Sequence, residues 1–190
     1  MLHPLRLPLL AQPHMLGHAL WMVATLFALA AGCTDWRWRR IPNWLTVPGA
    51  VLGLALNVGV AGWPGARSSL LGLGLGLVLL LPFVLIRSLG AGDWKLAGAL
   101  GAFFGPDRLL AVLFGAILIA GMMAVVLVIW KKRVGRTLRN MGRLLRAFFT
   151  LHQPGEELSL DDPASLKVPF GVAMAAAAVL YTAGHFAGLL

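Results

Sequence analysis

The residues able to do acid–base chemistry are few and unevenly spread. Of the seven Asp and Glu, Glu156, Glu157, Asp161 and Asp162 crowd one polar stretch, which leaves Asp35, Asp93 and Asp107. Those three border long apolar runs, where ionisable groups are expensive and mark candidate functional sites. Each has a purely structural reading. Asp35 can pair with Arg39 at i,i+4. Asp93 can cap a helix starting at Trp94. Asp107 fits a turn between Pro106 and Arg108. Taken together, Asp35 and Asp93 offer more. Two carboxyl groups brought close share a proton and titrate as a unit. One can then take a proton from water, while the other protonates an amide oxygen or a leaving nitrogen. Peptide hydrolysis by that route uses no Ser or Cys nucleophile, and no cofactor or metal is expected.

Other candidates are weaker. The single Cys33 excludes an intramolecular disulfide and a multi-Cys zinc site. Leu29-Ala30-Ala31-Gly32-Cys33 loosely resembles a lipoprotein cleavage site, but the basic Arg37, Arg39 and Arg40 follow it, against the pattern of an exported segment. His14 and His18 are i,i+4, yet they lack the acidic partner of a His-Glu-x-x-His site.

The elements that must position the two aspartates are membrane helices. The chain has 190 residues, 59% hydrophobic and 12% charged, and a mean hydropathy of +0.83. Soluble chains are about 25% charged, so lipid is the expected solvent. Apolar segments run from Leu16 to Cys33, Trp44 to Trp63, Ser68 to Leu89, Trp94 to Phe104, Leu109 to Trp130 and Val168 to Leu189. The expected fold is all-α, a single membrane-embedded domain over 1–190 with about six transmembrane helices, each needing roughly 20 apolar residues. The fourth segment is short for a crossing. Gly72 and Gly76 give the third a small-residue spacing that allows close helix approach, and Pro82 should kink it.

The net charge of +9 comes from 16 Lys and Arg. In a soluble chain it would suggest nucleic acid, but here the basic residues lie between apolar runs, and no nucleic acid is expected. If the loops after segments one, three and five face the cytoplasm, only Arg6, Arg67 and Arg108 fall outside. Asp35 and Asp93 then share the cytoplasmic boundary. The seven Trp mostly flank the apolar segments, as an aromatic belt does. Within residues 131–167, Arg136, Arg139, Arg143 and Arg146 recur at helical spacing, with Leu138, Met141, Leu145 and Phe148 opposite. That predicts a cytoplasmic amphipathic helix, between the fifth and sixth spans, lying on anionic lipid. An acidic loop follows it.

Local sequence sharpens the site. Pro42 disfavours helix at Ile41, so the chain leaves the first helix before Asn43. In Gly90-Ala91-Gly92-Asp93 the glycines permit backbone to approach a peptide strand. Lys95 lies close enough to bias the local charge. These residues resemble the type IV prepilin peptidases. The match consists of Asp35 ahead of Arg40-Ile41-Pro42-Asn43, then Gly90-Ala91-Gly92-Asp93-Trp94-Lys95-Leu96, then Lys167-Val168-Pro169-Phe170-Gly171. The resemblance implies an aspartyl endopeptidase of the bacterial cytoplasmic membrane, which removes a short basic leader from prepilin or pseudopilin precursors at the cytoplasmic face. It makes Asp35 and Asp93 the catalytic pair. Ile41, Pro42, Asn43, Gly90, Gly92, Lys95, Pro169 and Gly171 become supporting or substrate-positioning residues. Larger members carry a Cys-x-x-Cys domain and methylate the product. This chain looks like the short, peptidase-only branch associated with Flp-type tight-adherence pili. Two rivals remain: a non-catalytic assembly factor of a pilus or secretion system, and a small proton- or cation-coupled transporter.

Overall fold

The computed structural model describes residues 13–86, 88–131 and 168–189. Over these the fold is all-helical: α1 (Pro13–Trp38), α2 (Asn43–Leu85), α3 (Ala91–Trp130) and α4 (Phe170–Phe186). Three of them, α1 to α3, are long and apolar enough to cross a membrane, and α4 is a shorter apolar helix. The amphipathic stretch beyond Lys131, the acidic loop and Lys167 lie outside the described residues.

At 43 residues, α2 would be about 64 Å long if straight, roughly twice the hydrocarbon thickness of a bilayer. It is not straight. Gly62 has φ 60° and ψ −134°, a conformation that glycine adopts without the penalty other residues meet. Pro64 follows in the first turn of the next rod, where a missing N–H costs nothing. Asn57 and Ser69, on either side of the break, both reach the Ala102 carbonyl, at 2.9 and 2.7 Å. Twelve helical positions would hold them about 18 Å apart along a straight axis, so the chain turns back on itself at Gly62.

The same device recurs in α3. Gly105 has φ 74° and ψ 177°, a region essentially confined to glycine, and Pro106 opens the second rod. Beyond the break, Gly115 packs beneath Ala177 of α4, 3.4 Å from its Cβ if Gly115 bore one. Ala177 lies between Gly171, beside Asp35, and Tyr181, whose ring meets Phe104 at 6.3 Å. The chain has therefore reversed after Gly105. Segments two and three of the sequence are the two rods of α2, and segments four and five the two rods of α3.

Pro106 has a further effect. It has no N–H to offer the Ala102 carbonyl, four residues earlier. Asn57 Nδ2 and Ser69 Oγ donate to that oxygen instead, and Asn57 also reaches the Phe103 carbonyl at 3.1 Å. Polar groups in an apolar interior require such partners. At Pro82, where the sequence predicts a kink, the backbone angles of α2 stay helical as far as Leu85. Its ring still removes one helix hydrogen bond, the one an N–H there would give the Val78 carbonyl.

Close packing comes from small residues. A Cβ on Gly72 would overlap the Gly101 carbonyl, and one on Gly76 would lie 2.6 Å from the Ala97 carbonyl. The small-residue spacing thus brings α2 and α3 to backbone contact. Between α1 and α4, Gly32 faces Ala175 at 2.6 Å from a would-be Cβ. At one end of this pair Trp21 stacks on Tyr181 and His185 and meets Phe104 at a tilt, with the Arg108 guanidinium 5.1 Å from the Trp21 ring. His18 stacks on Phe186 at 5.3 Å; the His14 side chain is outside the described residues. Asp107 is helical, just past Gly105, rather than in an open turn.

Candidate active site

The opposite end of the α1–α4 pair holds the two aspartates. Asp35 lies in the last turn of α1 and is only 6% exposed. The helix stops at Arg39, whose φ of 53° is a left-handed conformation rare for a side chain with a Cβ. Its N–H still reaches the Asp35 carbonyl at 2.9 Å. Arg40, Ile41 and Pro42 then form a short connection. Pro42, with φ −75° and ψ 148°, is the N-cap residue of α2. The exit before Asn43 is the one that Pro42 predicts.

Asp93 lies in the first turn of α3, but it is not the cap. Gly90 occupies that position with extended angles, φ −69° and ψ 142°. Asp93 is the third helical residue, and its carboxylate reaches back to the Gly90 amide, as the acidic member of a capping box does. The expected cap at Asp93 is corrected accordingly. Gly90 can assume the role because an N-cap needs only non-helical angles when another group satisfies its neighbours.

Two glycines make the approach of these elements possible. Ile41 is buried, and its backbone N and O lie 3.3 Å from a would-be Cβ on Gly92. Its Cδ1 would be 2.8 Å from a Cβ on Gly171, and Asp35 Oδ2 would be 2.9 Å from it. Ile41 is thereby held between the starts of α3 and α4. Pro169 is the N-cap residue of α4, so the first amides of that helix have no partner within it. The Val172 amide donates to Asp35 Oδ2 at 3.3 Å. The neighbouring Gly171 amide lies close enough to act on the carboxylates of both Asp35 and Asp93. The positive end of a helix thus faces both acids.

One cavity of about 430 Å³ is lined by both aspartates, the 39–43 connection and residues 90–92. At its rim, Lys95 Nζ donates to Asn43 Oδ1 at 2.9 Å, tying the start of α3 to the start of α2. Arg39 also brings its charge to bear on Asp35. Among the described residues no group of three or more His, Cys, Asp or Glu is arranged to hold a metal ion. A pair of carboxyls in a sheltered cavity can give and take protons around a bound amide.

The model of the type IV leader peptidase family matches residues 22–125, more than half of the chain. The chain belongs to the type IV leader peptidase family. Comparison with curated proteins and with solved structures gave no match. The match covers Asp35, the 40–43 connection and Gly90 to Lys95, and stops short of α4. As a family member the chain is a peptidase-like membrane protein, of a family whose peptidases are of the aspartic type.

All ten residues singled out in the sequence gather at this end of the molecule. Asp35, Ile41, Pro42, Asn43, Gly90, Gly92 and Asp93 line the cavity, Gly171 and Pro169 start the helix aimed at it, and Lys95 ties its rim. Sequence reasoning missed Arg39 as a helix terminator and Val172 as a donor. Neither has a signal in residue type: the first is an arginine doing what glycine ordinarily does, and the second acts through its backbone.

Proposed function

We propose that the chain is an aspartyl endopeptidase that removes the short basic leader of prepilin-like precursors, with Asp35 and Asp93 as its catalytic pair. The observation that carries this reading is one cavity lined by both carboxylates, with the first amides of α4 facing them. In the mechanism, one aspartate takes a proton from water as the water oxygen attacks the scissile carbonyl carbon. The other, carrying the shared proton, protonates the carbonyl oxygen. The tetrahedral intermediate then collapses, the C–N bond breaks, and the departing nitrogen leaves with a proton. The fixed donors at the start of α4 hold the acids in place throughout, so little reorganisation accompanies reaction.

The wider reading follows from charge and length. The rods on either side of Gly62 and Gly105 are read as separate crossings, which with α1 and α4 gives six spans. Loops after the odd crossings face the cytoplasm, and the cavity opens on that side, as the basic residues favour. Substrates are prepilins or pseudopilins of the Flp type. The acidic residues Glu156 to Asp162 attract the basic leader; neutral substitutions there should slow cleavage at low salt and matter less as salt rises. A transporter would hold its acids near mid-membrane, whereas Asp35 and Asp93 lie at helix ends.

Co-expression with small pilin precursors of the host, followed by mass measurement of the pilin, tests the reading. Wild type should remove the leader, while Asp35→Asn and Asp93→Asn should each slow cleavage by about 10³-fold or more. Cleavage persisting in both variants would sink the aspartyl mechanism. Normal pilus assembly in the variants would favour a scaffold.

A further inference from the structure

Asp93 stands in the first turn of α3, and helix ends are where local fraying is easiest. The cap of that helix is Gly90, which has no side chain to bond the free amides. A tie to the rest of the fold comes from the residue next to the acid. The Trp94 indole Nε1–H donates to the Leu77 carbonyl at 2.7 Å, across to the second rod of α2. Trp94 is half-buried and packs against the core.

The tie is placed to set register. Leu77 also engages α3 through its side chain, whose Cδ2 would lie 2.8 Å from a Cβ on Gly98. Trp94 and Gly98 are four apart and share a helix face. Along the same contact Gly76 lies on Ala97 and Gly72 on Gly101. Bare backbone lets two helices lie close, but it offers few side chains to interlock against sliding. Directional bonds supply that hold. At the far end of this rod Asn57 and Ser69 donate to the Ala102 carbonyl. At the near end, about 12 Å away along the helix, the Trp94 indole bonds Leu77. Asp93 itself reaches the Gly90 and Gly171 amides, and hydrogen bonds tolerate a spread of only about 0.5 Å. A slip of about 1 Å along the axis would lose them.

We propose that Trp94 is a positioning residue for Asp93, its indole N–H fixing the first turn of α3 so that the carboxylate keeps its place in the cavity it shares with Asp35. The proposal rests on the peptidase reading for its purpose. A half-buried tryptophan seeks a partner for its N–H wherever it lies. Its place beside Asp93, in the same helical turn, is what makes this bond a hold on the acid. Trp94 is not part of the cavity wall, so it acts through Asp93 rather than on the peptide.

Two replacements in the full-length, detergent-solubilised protein test this. Trp94→Phe keeps an aromatic ring and removes the donor. Incorporation of 3-benzothienylalanine at position 94 keeps the shape of tryptophan and removes the N–H. Both should lower kcat by about tenfold or more with KM unchanged, because a misplacement of about 1 Å costs up to about 10²-fold. Amide hydrogen exchange at residues 94–97 should quicken in both, while exchange at residues 109–116, beyond Gly105, stays as in wild type. A merely structural tryptophan would leave kcat unmoved below the melting range. Wild-type kcat in the benzothienylalanine protein overturns the positioning role, and so does a loss that falls on KM alone. Unchanged exchange overturns the hold on the first turn. If wild type cleaves no precursor, the peptidase reading fails instead, and the exchange comparison still decides whether the indole fixes the turn.

Discussion

The two ends of the α1–α4 pair are built on opposite principles. At one end Trp21, Tyr181, His185 and Phe104 fill the space with rings, the closest pair 4.3 Å apart between centroids. At the other, Gly171 brings bare backbone against Asp35 and Ile41, and space is left open beside it. Rings hold helices together by filling volume, and no polar group has to be exact. An acid pair needs the reverse: donors at fixed positions and room for a substrate. The difference teaches that the same two helices are clamped at one end so that the other can stay hollow.

Gly171→Ala should break the contrast most sharply. Its Cβ would sit 2.8 to 3.0 Å from Ile41 Cδ1, Asp35 Oδ2 and Asp35 Cβ, pushing α4 off the acids. Displacement of that order is expected to reduce kcat by about 10²-fold. Gly74→Ala, where nothing lies within 4 Å, should leave cleavage at the wild-type rate. Equal effects at both positions would show that glycine matters here only for helix stability.

A smaller effect is expected at the rim. Lys95→Met removes an exposed hydrogen bond to Asn43, so kcat/KM should fall by only about threefold to tenfold. A null result in cleavage kinetics would make that tie incidental to the hollow end.

The aromatic end should show the complement. Trp21→Ala is expected to lower stability by about 3 kcal/mol, read by thermal or denaturant unfolding in detergent. Below the melting range its kcat should match wild type. Loss of kcat without loss of stability would mean that the two ends are coupled rather than divided in labour.

Much of this was legible in the residues. Pro42 announced the exit from α1, because the residue before a proline avoids helical angles. Trp63 and Phe104 ended apolar segments just where Gly62 and Gly105 break the rods, since a glycine with a proline one or two residues on punctuates helices. What the sequence could not yield were groups defined by backbone rather than by side chain. The step of Asp93 from cap to third helical residue depends on a glycine serving as cap, and the donors at Gly171 and Val172 are anonymous amides.

The late place of α4 in the chain has a consequence in time. Both aspartates leave the ribosome well before the helix that completes their surroundings. At translation rates of about 5–20 residues per second the interval is on the order of 4–16 s. A chain stopped before Phe170 would carry both acids and lack the α4 amides that face them. The newborn protein therefore carries both aspartates for some seconds before α4 brings its amides to face them.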